Sequence, residues 1–391
     1  MFQEMFGCGS TKVQKILDVY PSPDILFSKA KIEYENSRLF TSMDLQKLSS
    51  KEKFRASAER ILEDCEENNI KIITYDCEEY TDNLRNIYSP PLVLYYKGDI
   101  SLLKAPLSIG IVGTREPTEY GVQVTAKFCE ELSDYGVVTV SGLAMGIDAV
   151  AHKQTLINNG KTIGVLGSGL CNIYPLQNKE LARIMVNNGG LVLSEFPPKS
   201  PPSAFHFPIR NRIISGISNG VLVVEGARKS GSLITAGHAT VQGKDVFVVP
   251  GSIFSAMSEA TNWLARQGAI VVTSGKEIIE EYSYLNLKRD SVRIETKKTD
   301  NNKRVELISE ATPIVEDKSL EKKPKKKSTA PPAYLNDIQR EIYLQIRMSP
   351  ITSDEISREL DLPVQKVLTT LTQLELYGLV EVSAGRTYSL V

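Results

Sequence analysis

Short turns rich in glycine and hydroxyl side chains, each just after an apolar run and near an arginine, recur in this 391-residue sequence. Gly113-Thr114-Arg115 is the first. Its glycine admits a ligand to the backbone, and Arg115 supplies a permanent cation whose donor fork suits phosphate. The second, Ser141-Gly142-Leu143-Ala144-Met145-Gly146-Ile147-Asp148, is a small-residue loop running into a helix. Its N–H groups should face an anion, with the helix dipole behind them. Gly167-Ser168-Gly169 precedes Tyr174-Pro175, and Phe207-Pro208-Ile209-Arg210-Asn211-Arg212 contributes two cations. Finally, Glu225 to Ala236 sets Ser230, Gly231, Ser232 and Thr235 at a strand-to-helix turn beside Arg228 and Lys229. Hydroxyls, glycines and N–H groups without an adjacent catalytic base favour holding an anion over making or breaking bonds.

Two nucleotide motifs are imitated but not completed. Gly167-Ser168-Gly169 begins like a dinucleotide fingerprint, yet position 172 is Asn. Gly160-Lys161-Thr162 ends like a phosphate-binding loop, yet position 155 is Thr and a strand follows instead of a helix. Neither NAD binding nor ATP hydrolysis is supported, and no cofactor is expected. The three histidines are never paired at i,i+4, and Cys8, Cys65, Cys77, Cys129 and Cys171 form no C-x-x-C pair, so no metal site is expected. Several candidates also have a scaffolding reading. Arg210 or Arg212 could pair with Glu225 or Glu195, Asp148 could organise loop amides, and His152 and Trp263 could simply pack.

These residues need elements to position them. Nearly continuous Val/Ile/Leu runs at 109–112, 137–140, 163–166, 191–193, 221–224, 246–249 and 270–272 alternate with helical stretches. Such runs suit strands buried on both faces, joined by helical crossovers in a parallel, doubly wound sheet. Ligands of open α/β sheets bind at the carboxyl ends of strands, where the glycine-rich turns fall. Ahead of this region, residues 1–70 carry helical periodicity, and Gly7-Cys8-Gly9-Ser10 with the following helix reads either as a helix-hairpin-helix or as the start of a small bundle. Ile72 to Tyr75 and Val93 to Tyr96 read as strands around Pro90-Pro91. Residues 286–333, with thirteen basic and eight acidic side chains and Lys322 to Lys327, read as a flexible basic linker. In 334–391, Thr352 and Glu355 are spaced as a capping box, Pro363 opens a helix to about Leu376, and two short strands follow. Three helices and a hairpin make a winged helix.

Charge and composition narrow the function classes. Residues 106–285 balance fourteen basic against fourteen acidic side chains, so an anion site there must be built locally. No apolar run reaches the roughly 18–20 residues of a membrane span, and the start Met1-Phe2-Gln3-Glu4 has no basic secretory n-region. With scattered cysteines, a cytoplasmic protein with no membrane contact is expected. The helix from Pro363 to Leu376 carries only Lys366 and Glu375, which weakens a duplex-DNA regulator reading.

The ordered set Gly113-Thr114-Arg115, Ser141 to Asp148, His152, Gly169 with Tyr174-Pro175 and Asn178, Ser194-Glu195, Arg210-Asn211-Arg212, Ser230-Gly231-Ser232-Leu233 with Thr235-Ala236, and Val246 to Gly251 resembles the DprA/Smf family of DNA-processing proteins over about residues 71–285. The flanking helical and winged-helix regions look like that family's flanking domains. The resemblance implies a Rossmann-like α/β domain between a small helical N-terminal domain and a C-terminal winged helix. It also implies a non-enzymatic, homodimeric protein that binds single-stranded DNA, protects incoming strands and helps load the RecA recombinase in natural transformation. DNA would lie across the carboxyl edge of the sheet. Arg115, Ser141, Gly142, Gly146, Arg210 and the Ser230-Gly231-Ser232 turn would hold its phosphates, and Tyr174 or Phe207 would stack a base. Gly113, Thr114, Gly169, Asn178, Lys179, Asn211, Arg212, Lys229 and Thr235 complete the implied site. Two positions depart from the family: Ala260 stands where glycine is usual, and Leu176 follows Tyr-Pro where some relatives carry a basic residue, with Lys179 nearby. The alternative is a nucleotide-cleaving Rossmann-like phosphoribohydrolase. Its Pro-Gly-Gly-x-Gly-Thr loop is missing from the equivalent stretch, Glu225 to Thr235.

Overall fold

The structure, a computed structural model, describes residues 1–10, 12–29, 31–289, 337–348, 351–360, 362–376, 379–383 and 387–390. The proposed linker 286–333 lies outside the described residues beyond position 289. The chain forms two compact units, Met1–Ile314 and Val315–Val391.

The first unit is built on one nine-stranded sheet: β1 (Lys71–Thr74), β2 (Val93–Gly98), β3 (Ser108–Val112), β4 (Val138–Ser141), β5 (Thr162–Leu166), β6 (Leu191–Ser194), β7 (Gly220–Val223), β8 (Asp245–Val248) and β9 (Ile270–Val271). Their order is β1-β2-β6-β5-β4-β3-β7-β8-β9. β3 to β9 are all parallel, and every residue of β3 to β7 is buried, as their unbroken aliphatic runs require. β2 pairs antiparallel with β6, and β1 with β2. The two strands read around Pro90-Pro91 therefore extend the same sheet. Helices lie on both faces. Ile109, Ile111, Phe128, Leu132 and Ile278 form one apolar layer, and Val140, Val165, Ile213, Ile214, Ile217 and Ala236 belong to the other. The chain runs outward from β3 to β6, then returns to β7 on β3's other side. The crevice at the carboxyl ends of β3 and β7 is thus the topological switch point.

Among the strands of the sheet lie α7 (Asp82–Arg85), α8 (Glu119–Asp134), α9 (Ile147–Ile157), α10 (Lys179–Asn187), α11 (His206–Ile217) and α12 (Gly231–Val241). Six helices precede it: α1 (Phe2–Phe6), α2 (Lys12–Val19), α3 (Pro23–Ser28), α4 (Lys31–Asn36), α5 (Ser42–Ser49) and α6 (Lys51–Glu67). They enclose their own core of Phe2, Met5, Ile16, Leu26 and Leu48. The turn between α1 and α2 is pinned to the sheet, because Gly9 N–H donates to the Glu195 carboxylate at 3.1 Å.

The second unit has helices Asp337–Met348, Ser353–Glu359 and Val364–Leu376 and a three-stranded sheet of 351–352, 387–390 and 380–383. Thr352 and Glu355 form the expected capping box. Ile342, Ile356, Val367 and Leu371 fill the core of this winged helix. Among the described residues no helix is long and apolar enough to cross a membrane.

Candidate functional site

An open cleft of about 860 Å³ lies at the switch point. It gathers Gly113, Thr114 and Arg115 after β3, Tyr174 after β5, Phe207, Arg210 and Asn211 of α11 (His206–Ile217), and Lys229, Ser230, Gly231, Ser232 and Thr235 after β7. Separate turns converge because their backbones are tied together. Thr114 N–H donates to Glu225 O at 2.9 Å, and Ile147 N–H donates to Thr114 O at 3.1 Å. Gly146 makes this approach possible. Its φ is +76°, and a Cβ there would strike the backbone of Thr114 and Arg115.

The Phe207 ring is the centre of the cleft. The Arg115 guanidinium carbon lies 5.7 Å from its centroid, that of Arg210 lies 5.9 Å away, and the Tyr174 ring sits 5.9 Å away, tilted by 51°. Arg115 is exposed, and among the described residues no carboxylate forms an ion pair with it. Lys229 is exposed on the opposite wall. Ser230 caps α12 (Gly231–Val241), accepting the Ser232 N–H at 3.3 Å, and the two serine hydroxyls are 2.8 Å apart. The helix therefore presents a hydroxyl-lined N-terminus to the cleft.

Other expected contacts turn out to support the cleft. Arg210 is buried, and its guanidinium donates to the carbonyls of Gly142 and Val165 and to Asn211 Oδ1 at 3.2 Å. Burial lowers its pKa to about 10, which leaves it a cation at neutral pH in the cleft floor. Gly142 leaves it room, since a Cβ would lie 2.6 Å from the guanidinium. Ser141 is buried and donates its hydroxyl to Ile111 O at 2.6 Å, so it acts as a strand tie. The expectation that the 141–146 amides face an external anion is corrected for two of them. Gly142 and Ala144 donate to the buried Asp148 carboxylate at 3.1 and 3.4 Å. Burial pushes the Asp148 pKa up, opposed by Arg210 and these amides. Asn178 also braces the loop from outside the cleft, donating to Leu143 O and Ala144 O at 2.9 and 3.0 Å.

Three expected residues lie elsewhere. Gly169 packs against the 197–200 segment, donating its N–H to Ser200 O at 3.0 Å. Lys179 starts α10 (Lys179–Asn187) and lines a separate groove. Arg212 is buried in an ion pair with Glu195 at 2.5 Å, beneath the α1–α2 turn, which is its scaffolding reading. His152 is fully buried with Nδ1 2.6 Å from the Thr162 hydroxyl, and burial, with Arg210 adding to it, holds its pKa down to about 3. Trp263, expected to pack, is 45% exposed. Sequence reasoning missed Ser203 and Ala204 on the cleft rim. Their only signal was Pro201-Pro202, which marks a loop without saying where it leads.

The cleft thus offers exposed cations, an amide- and hydroxyl-lined helix start and two aromatic faces. Its acidic neighbours are committed: Asp148 to loop amides, and Glu225, buried, to the Thr118 N–H at 2.9 Å and hydroxyl at 2.5 Å. This arrangement suits binding of an extended polyanion with planar groups.

Comparison with known proteins gives matching relatives. The family model of DNA recombination-mediator protein A matches residues 71–283, and that of the DprA winged helix domain matches 326–386. A Bacillus subtilis DNA processing protein DprA is 45% identical over 60% of this chain and 79% of its own length. The Synechocystis protein Smf is 36% identical over 84% and 82%. Among solved structures, Streptococcus pneumoniae DNA processing protein A superposes with a TM-score of 0.55 at 36% identity, covering 64% of this chain and 90% of that one. Helicobacter pylori DNA processing protein A, whose structure concerns its single-stranded DNA binding mode, gives 0.51 at 31% identity, covering 56% and 97%.

Proposed function

Because this chain belongs to the family of DNA recombination-mediator protein A, the DprA/Smf family, we propose that its cleft binds single-stranded DNA in DNA processing and recombination. One observation carries the reading: Arg115, Arg210 and Tyr174 surround the Phe207 ring in an open cleft whose far wall is Lys229 and the Ser230–Ser232 turn. Phosphates would meet Arg115, Lys229 and the N-terminus of α12, while a base stacks on Phe207 or Tyr174. Stacking suits a single strand, whose bases are free, and not a duplex, whose bases are already stacked. Arg210, Ser141, Asp148 and Asn178 fix the floor, so that little ordering remains to be done on binding.

Recombinase loading and homodimerisation through the sheet-bearing unit are proposed on the family resemblance alone, and velocity sedimentation with recombinase filament assays tests them. A nucleotide-cleaving role would need a carboxylate free to act in the cleft, whereas Asp148 and Glu225 are both engaged. Photocrosslinking of a single strand carrying iodouridine tests the proposed path. Adducts on Phe207 or Tyr174 are expected, and adducts confined to surfaces outside the cleft would overturn it.

A further inference from the structure

A second concavity, of about 540 Å³, lies beyond the turn that carries Tyr174. α10 forms one wall, and β2 and β6 form the floor, where Lys97 stands opposite Val192 in the antiparallel register. Its apolar lining comes from Leu170, Ile173, Val186 and Val192, and Leu176 stands 72% exposed at its mouth. Leu170 and Val192 are themselves buried, so the open aliphatic surface is that of Ile173, Leu176 and Val186.

The charges are one-sided. Lys97 is only half exposed within this apolar setting, and among the described residues no carboxylate pairs with it. Lys179 is exposed on the rim. Arg183 is neutralised by Glu180, which accepts its Nε at 2.8 and 3.0 Å. An ammonium with no carboxylate partner, set beside apolar surface, gains from an incoming carboxylate or phosphate. The lining decides between those sources. Among the described residues no Phe, Tyr or Trp lines the groove, so a nucleobase would find no stacking platform there, whereas aliphatic side chains of a peptide would find matching surface.

We propose that this groove docks an acidic peptide segment of a partner protein, with Leu, Ile or Phe side chains on the aliphatic floor and Asp or Glu side chains at Lys97 and Lys179. The site is separate from the cleft, so it does not depend on the single-strand reading. Phage display of random dodecamers on the full chain, with oligo-dT present to occupy the cleft, tests it; enriched peptides are then titrated by fluorescence anisotropy. Enriched peptides should combine acidic residues with at least two large apolar ones. Lys97→Glu should weaken them about tenfold or more, the loss of a paired charge, while oligo-dT affinity changes less than about twofold. Where glutamate at 97 perturbs folding, Lys97→Met keeps the bulk and should still weaken the peptides about threefold or more. Absence of enrichment, enrichment of basic or uncharged peptides, peptide affinity indifferent to position 97, or a loss falling on oligo-dT instead would each overturn the proposal.

Discussion

Replacing Arg115 with alanine separates binding from folding. Its guanidinium is exposed, touches Phe207 at 5.7 Å, and is paired with no described carboxylate. Its loss should cost the fold no more than the exposed cation–π contact, about 0.5–1 kcal/mol. A charge-assisted hydrogen bond to a phosphate is worth roughly 1.5–3 kcal/mol, which corresponds to a loss of about tenfold to 150-fold in Kd. One fewer neutralised phosphate should also lower the log–log salt slope by roughly 0.7 on single strands. Anisotropy titrations of a labelled oligo-dT across a salt series, beside thermal melting of the same preparation, read all three quantities. The loss should appear for every base sequence alike, because a phosphate contact carries no sequence information. Wild-type affinity in the variant would refute the assignment. So would an early melt accompanying the loss, since Arg115 would then be part of the scaffold.

Three further outcomes are expected. Phe207→Ala should weaken single-strand binding by about 1–3 kcal/mol, the worth of one stacked base, while leaving the salt slope unchanged; a changed slope would make the ring a spacer for the cations. Glu195→Ala leaves the Arg212 cation buried and unpaired, so denaturant unfolding should show a loss of about 3–5 kcal/mol, and a loss below 1 kcal/mol would mean that water takes the carboxylate's place. His152 binds its proton at about pH 3 when folded and near 6.5 when unfolded, so its contribution is complete above that upper value and is lost as pH falls toward 3. The unfolded chain holds the extra proton in that window, so stability falls by up to about 1.4 kcal/mol per pH unit as pH drops, and His152→Gln should flatten this part of the stability profile measured by denaturant unfolding; an unchanged slope would assign the titration to another group.

The strands of this fold were legible because burial on both faces forces unbroken aliphatic runs. All seven runs from Ile109 to Val272 coincide with parallel strands to within a residue or two. Pairing was less visible. Nothing in Ile72 to Tyr75 or Val93 to Tyr96 says that β2 lies antiparallel to β6, since that depends on contacts about a hundred residues apart. In the cleft, residue types pointed to an anion site, but type does not encode depth. Arg115 and Arg210 look alike in sequence, yet one ends a strand facing solvent and the other enters from α11 beneath two strand-end carbonyls. The amides of 142 and 144 look equally free in sequence, yet Asp148, four to six residues on, takes up both. Arg212 and Glu195 are compatible in charge, and only the placement of the α1–α2 turn over them makes their pairing a buried anchor.

The proposed function has the cleft hold a single strand by its phosphates and free bases and do no chemistry on it. Competition between single- and double-stranded oligonucleotides of equal length for the full chain at physiological salt, with release of free base from nucleoside monophosphates followed in parallel, tests it most directly. Clear preference for the single strand, lost in Arg115→Ala, and no base release above background are the expected results. Equal or tighter duplex binding, or base release that depends on Glu225, would contradict it.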